Sequence, residues 1–560
     1  MIGLDLGRKI NGEEERIRAA LEGPPPEGLE LPGTKRPEYN IRFAGMNDKH
    51  EERIVLATIT RRDFSKRSLA ILGGVAAWGT MGGMGSARAA ESGKGPVIGR
   101  IAPRSSKQIV ASPFGVGFET LDRRLFDPEP TYERLERLGI KWARIQSGWC
   151  RCETTMGTYD FAWLDKIVNS LCDIGIQPWM NLTYGNKLYM PDAPNEYAMG
   201  WAPVTETARQ GWIRFVRALT EHYRDRIRHW EIWNEPNLLW SPRGPSAVAY
   251  TELVKRTSPV IRASIPDAVV IGGALGDTDH VSFLQSCLEA GMADHVDRVS
   301  VHLYRLIPES MDDDVKKMRA MMAQRKPKLD LWQGEAGVQS KAGMGSGDNK
   351  LPWTELRQAR WLLRRTINDK RLKLEQTSWF NVADLINYAS SWSGPSSKKA
   401  SPVKTDAEVD PSQSLFHGLL RVPGYAPKLS YFAYQNLCAL FDSKTETADV
   451  PMRFAGDFAG SDPAISAEKI EKTGFVRAGC PMAAYWFPAD VIKDMPTRAV
   501  DVTVTVKNDL TFQKPVVVDL LNGEVSKLRG KQSAGQWKFE ALPLTDYPML
   551  ITDAAVALRG

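Results

Sequence analysis

The sequence is poor in the residues that build metal centres and disulfide frameworks. Its 560 residues include six cysteines and seven histidines. Cys150, Cys152, Cys172, Cys287, Cys438 and Cys480 are scattered rather than framed, so free thiols or one opportunistic disulfide are expected. Cys150 and Cys152 stand two apart with no His/Cys cluster beside them, which excludes a zinc site of the usual spacing. No Lys/Arg run with interleaved aromatics is present, and a net charge of +6 is weak for this length; both argue against nucleic acid as a partner. The longest apolar run, near residue 70, is too short and too rich in glycine to span a membrane comfortably. A Gly-rich phosphate loop is also missing: "FGVGFETLDRR" lacks the third glycine and the immediate helix start of a nucleotide-binding turn. Neither a metal nor an organic cofactor is therefore expected.

What the sequence has in excess is tryptophan. Fourteen of its 17 tryptophans fall between Trp142 and Trp392, and flat apolar faces suit sugar rings as well as cores. The same region alternates strand-like and helix-like segments. The strand-like ones run 114–120, 140–149, 176–185, 227–237, 268–276, 298–306, 328–340 and 374–385. Helical patterns follow each, one of them interrupted by Pro259, and the last is "APKLSYFAYQNLCALF" at 426–441. Eight strand–helix units over residues 112–441 predict an α/β fold, a (β/α)8 TIM barrel. Residues 442–560 change to short Val/Thr-rich runs broken by Asn, Asp, Gly and Pro, which predicts an antiparallel β-sandwich. Two strand-like stretches within 94–111 and just beyond, "GPVIGRIA" and "KQIVAS", are candidates to join it. Residues 186–205 are expected as a substrate-facing loop, and the low-complexity 390–414 as either a lid or a disordered insertion.

The N-terminal region reads as an address. "TRRDFSK" at 60–66 carries a twin arginine; a weakly apolar Gly/Ala-rich run and the small residues Ala87 and Ala89 follow. Residues 46–90 are thus expected to be a twin-arginine export signal, with the translocase as a partner and a periplasmic or extracellular destination. Residues 1–45 are expected to be either a disordered extension or sequence upstream of a true start at Met46.

In such a barrel, chemistry sits where strands end. The fourth strand ends at Asn234-Glu235-Pro236 within "WEIWNEPNLLW", and the seventh at Glu335 in "WQGEAG". Two carboxylates facing each other across the mouth suit glycoside hydrolysis, one protonating the leaving oxygen while the other attacks carbon. Retention needs roughly 5 to 5.5 Å between the carboxyl groups, against about 6.5 to 9.5 Å for inversion. Period-two alternation turns Glu231 to the opposite side of its strand from Asn234. Glu119, ending the first strand, also reaches the mouth.

With "WNEP" ending strand four and a glutamate ending strand seven, the sequence resembles clan A of the retaining glycoside hydrolases. The trailing sandwich makes it most similar to family 39, a group of β-xylosidases, α-L-iduronidases and polysaccharide endoglycosidases. The resemblance implies Glu235 as acid/base and Glu335 as nucleophile, acting on a β-linked oligo- or polysaccharide by double displacement. It also implies Asn234 as the residue bonding the sugar 2-hydroxyl, and Arg144 and Tyr304 as donors around the nucleophile. Trp233 and Trp240 are expected to give Glu235 apolar cover, His302 to assist, and Trp379 to stack on the sugar. Two other readings share these residues: a noncatalytic carbohydrate-binding barrel in exopolysaccharide handling, and a transglycosidase.

Overall fold

The computed structural model describes residues 94–345, 347–393, 402–456, 465–506 and 510–558. The export signal and the stretch before it lie outside the described residues, as do residues 394–401 of the low-complexity insert.

Eight parallel strands close into a barrel. They are β1 (Phe114–Gly117), β2 (Trp142–Gln146), β3 (Gln177–Leu182), β4 (His229–Ile232), β5 (Val269–Gly276), β6 (Arg298–His302), β7 (Asp330–Ala336) and β8 (Gln376–Trp379). Closure is made by β8 on β1, with Phe114 opposite Thr377 and Val116 opposite Trp379. Helices follow the strands, and three of the long ones start at capping side chains. Thr205, Ser246 and Thr354 each accept a hydrogen bond from a backbone N–H three residues on. The helix Ala247–Ser264 runs unbroken through Pro259. Proline removes one intrahelical hydrogen bond, but Tyr250, Leu253, Val254 and Ile261 are buried along this helix, and tertiary burial outweighs the local penalty.

The tryptophans are mostly structural. Trp142, Trp179 and Trp332 meet near the strand starts, with ring centroids 5.1–5.5 Å apart, and plug the floor of the barrel. In residues 186–205, Tyr189 is buried: it stacks on Trp149 at 5.3 Å and donates to Glu153 at 2.6 Å, while Lys187, Leu188, Pro191, Asp192 and Pro194 are exposed.

Two antiparallel sheets follow the barrel, one of seven strands and one of four. The strand Lys94–Arg100 joins the seven-stranded sheet by pairing with Glu524–Leu528, as its sequence suggested. The stretch 107–112 does not. It is a turn, held by Gln108 N–H to Ser105 carbonyl, and its one strongly apolar residue facing inward, Ile109, is buried beneath the barrel against Gly139. At the junction with the barrel, Arg364 makes two bonds to Glu309 at 2.7 and 2.8 Å, and Trp486 donates to the same carboxylate at 2.7 Å. Among the described residues no helix is long and apolar enough to cross a membrane. All six cysteines are free.

Candidate active site

The mouth of the barrel is organised by one guanidinium. Arg144 rises inward from the middle of β2 and is fully buried. Its Nε donates to Glu231 at 2.7 Å, and one terminal nitrogen donates to Glu119 at 2.9 Å and to Glu335. The other donates to Asn234 at 2.8 Å. A planar fork of five N–H groups can serve several acceptors in fixed directions, which an ammonium cannot.

The position of Glu231 corrects the alternation argument. Strict period two would put Glu231 and Asn234 on opposite faces, yet both reach Arg144. The backbone explains it. Trp233 and Glu235 take left-handed conformations, with φ of 68° and 48°, just where β4 ends. These rarely occupied conformations rotate the chain and bring Asn234 and Glu235 inward as well. Glu335 gains its inward direction from a second irregularity, a register shift in β7 between Gln333 and Ala336. Irregularities of this kind re-aim side chains next to sites.

Glu335 is nearly buried and surrounded by donors. Tyr304, from the loop after β6, donates its hydroxyl to Oε2 at 2.8 Å. Arg144 holds Oε1, and His302 Nδ1 stands 3.6 Å from the same oxygen. Burial alone would raise the pKa of this carboxyl. The opposing charges of His302 and Arg144 and the Tyr304 bond outweigh it, so Glu335 is held below the usual carboxylate range. Tyr304 is pushed well above the usual phenol value, first by burial and then by the Glu335 charge, and so remains a donor.

Glu235 is the more open of the two, with its side chain 18% exposed against 10% for Glu335. Its Oε1 lies 3.1 Å from His302 Nδ1. Facing atoms of Glu235, His302 and Glu335 all lie within 4.8 Å of one another. The same three groups are the set among the described residues nearest to a metal-binding arrangement. The guanidinium on Glu335 already neutralises that oxygen and disfavours a second cation there.

Asn234 also donates to the Tyr184 hydroxyl at 3.0 Å. Behind it, Tyr184, Trp233, Trp212 and Trp240 form a chain of edge-to-face contacts at 5.6–5.8 Å. The aromatic wall behind the WNEP segment is therefore core.

Above the two carboxylates lies a cleft of about 580 Å³. Glu235, Tyr304, Glu335, Asp348, Asn349, Phe380, Tyr388 and His417 line it. Trp379 does not. It is 4% exposed, donates its indole N–H to the His417 carbonyl at 2.9 Å and packs edge-on to Trp361 at 5.8 Å, between barrel and helix. Its neighbour Phe380 does line the cleft, with its ring 6.2 Å from that of Tyr304. Expecting Trp379 as the stacking platform was thus one residue off. Beyond the strand end, adjacent side chains face opposite ways, and the larger aromatic took the layer with more room. Sequence reading also missed Asn181, which donates to Glu231 at 2.9 Å, and His417 on the distant segment after β8. Burial and the nearby Lys428 charge lower the His417 imidazole to about 3, so it is neutral.

Comparison with known proteins agrees with this geometry. Residues 136–331 match the family model of "Glycosyl hydrolases family 39". A β-xylosidase of Geobacillus stearothermophilus is 29% identical over 157 residues, covering 26% of this chain and 31% of that protein. The matched part thus spans about a third of that relative's length. In three dimensions, a family 39 glycoside hydrolase from Bacteroides cellulosilyticus WH2 superposes with a TM-score of 0.55 at 19% identity, covering 78% of this chain and 80% of the other. A monomeric β-xylosidase from Caulobacter crescentus CB15 gives 0.52 at 16% identity, covering 81% and 97%. Residues 136–331 thus match the sequence pattern of family 39 glycosyl hydrolases, and over about four-fifths of its length the chain shares the fold of the named structures.

Proposed function

We propose that the protein is a retaining glycoside hydrolase that cleaves β-linked neutral glycosides, with Glu335 as nucleophile and Glu235 as acid/base. One observation carries the reading: the facing oxygens of the two carboxylates are within 4.8 Å. That separation is near the roughly 5 to 5.5 Å of retaining enzymes and leaves no room for the water that inversion needs between carboxylate and sugar.

Each residue then has a task. Glu335, ionised by its donors, attacks the anomeric carbon while the bond to the leaving oxygen breaks. Glu235 gives that oxygen its proton, and a glycosyl ester on Glu335 results. Glu235, now a carboxylate, takes a proton from water; the water oxygen bonds to the same carbon, and Glu335 is released. Two displacements return the original configuration. Asn234, held by Arg144 and Tyr184, is placed to bond the sugar 2-hydroxyl. Such a bond tightens as positive charge develops on the ring.

The neutral-sugar assignment rests on charge. The described residues lining the cleft include Glu235, Glu335 and Asp348 but no Lys or Arg, and His417 is uncharged. A uronate or sulfated sugar would meet carboxylates without a counter-charge. The named β-xylosidase relatives point the same way. Export through the twin-arginine route, supported by Arg61, Arg62 and the run behind them, puts the reaction outside the cytoplasm.

The test is to follow aryl β-xyloside hydrolysis by NMR. The first-formed sugar should carry the β configuration. Glu335→Ala should lose activity and regain part of it with azide, as the glycosyl azide of inverted configuration. First-formed α product, or full activity in both Glu335→Ala and Glu235→Ala, would end the proposal.

A further inference from the structure

Three carboxylates share Arg144, and all three are buried. Glu119 and Glu231 are 1% and 0% exposed and Glu335 is 8% exposed. Arg144, even with the His302 charge beside Glu335, does not balance three negative charges at the base of the mouth. Leaving a surplus charge out of water costs more than the cations return. A proton must reside in the cluster, and the hydrogen bonds indicate where.

Glu335 has the strongest claim to be ionised: it takes bonds from Arg144 and Tyr304 and faces His302. Glu231 accepts two bonds on one oxygen, from Arg144 Nε at 2.7 Å and from Asn181 at 2.9 Å. Its other oxygen is unpartnered. Glu119 accepts a single bond, from Arg144 at 2.9 Å, and its Oε2 has no hydrogen-bond partner. Oε2 is pressed instead against the backbone of β1. A β-carbon on residue 117 would sit 3.1 Å from it, so glycine there is what admits the carboxyl.

The geometry points to Glu119 as a neutral carboxylic acid, a positioning residue that anchors Arg144 without adding charge beside Glu335. The electrostatics agree, since burial first and the Glu335 charge second push the Glu119 pKa well above its usual value. The proton stored there leaves Arg144 shared by two carboxylates, and Glu335 remains an available anion. Glu119 is too deeply buried to touch a sugar, so its effect passes through Arg144.

The role of Arg144 and Glu335 rests on the hydrolase reading above, but the protonation of Glu119 does not. Infrared difference spectroscopy reads it without substrate. At neutral pH, wild type minus Glu119→Gln should show the carbonyl band of a protonated carboxyl, lost in the variant. Glu119→Met, of similar volume and without a carboxyl, supplies the same difference should the amide variant fail to fold. Kinetics gives the second readout. The pH profile is shaped by the groups facing Glu119: Arg144 from β2, Glu231 from β4, His302 and Tyr304 from β6 and its loop, and Glu335 from β7. Replacing a neutral acid by a neutral amide should leave the acidic limb of kcat/KM where it was. Replacing an anion would move that limb down by about one pH unit, because Glu335 would lose a repelling neighbour. Absence of the carboxyl band from both differences, or a limb displaced downward, overturns the inference. The band without any glycosidase activity would leave the inference standing and remove the hydrolase reading.

Discussion

The hydroxyl of Tyr304 donates to Oε2 of Glu335 across 2.8 Å, while Arg144 holds the other oxygen of the same carboxylate. The two donors come from opposite parts of the barrel, the loop after β6 and the middle of β2. Together they fix the carboxylate's plane and keep it ionised, the two properties a nucleophile needs before substrate arrives.

Tyr304→Phe removes one donor and little volume. The Glu335 pKa is held low partly by this bond, so it rises in the variant. A larger share is then protonated at mildly acid pH, and the acidic limb of kcat/KM moves up, not down. A hydrogen bond to a charged group is worth about 1.5–3 kcal/mol, so kcat should fall roughly 10- to 100-fold. A pH–rate profile checks both. An unshifted limb with unchanged kcat would show that Tyr304 does not act on Glu335.

Phe380 and Trp379 should separate cleanly. Phe380→Ala opens one wall of the cleft and should raise KM or lower kcat with a modest change in melting temperature. Trp379→Ala leaves a hole against Trp361 and an unpaired carbonyl at His417. It should cost about 3–5 kcal/mol of stability. Denaturant melts beside steady-state kinetics distinguish the two; a Trp379→Ala protein of normal stability with a raised KM would return Trp379 to the substrate.

Glu309 joins the barrel to the sheets through Arg364 and Trp486, and its side chain is 9% exposed against 2% for Arg364. Glu309→Ala strands a buried guanidinium, at a cost of about 3–5 kcal/mol. Burial works to raise the Glu309 pKa, but the Arg364 bond and charge and the Trp486 bond prevail and hold it low. A depressed folded-state value contributes stability above the ordinary carboxylate range, and this is lost as pH falls through the folded value. Wild type should therefore lose more stability than Glu309→Ala between neutral and strongly acid pH. Equal losses in urea melts would contradict this.

Asn234→Ala should lower kcat more than it raises KM, because the bond to the sugar 2-hydroxyl strengthens in the transition state. A 2-deoxy substrate should show no further loss with the variant. An equal drop on both substrates would mean that Asn234 serves only to hold Arg144.

Strand–helix alternation and the two glutamates at strand ends were legible along the chain, because each is a local pattern of period or spacing. The pairing of Arg144 and Tyr304 with Glu335 was implied by the resemblance to clan A, and both side chains do bond that carboxylate. Parity at the strand ends was not legible. Left-handed backbone at Trp233 and Glu235 cancels the alternation that set Glu231 against Asn234, the shifted register in β7 aims Glu335, and neither has a sequence signature in a non-glycine residue. The exchange of Trp379 for Phe380 belongs to the same class: which neighbour faces the cleft depends on the space left by Trp361 and His417. The protonation of the Arg144 cluster is further still from the chain. Glu119, Glu231 and Glu335 are separated by about one hundred residues or more at each step, and only their common burial around one cation creates the imbalance that a proton relieves.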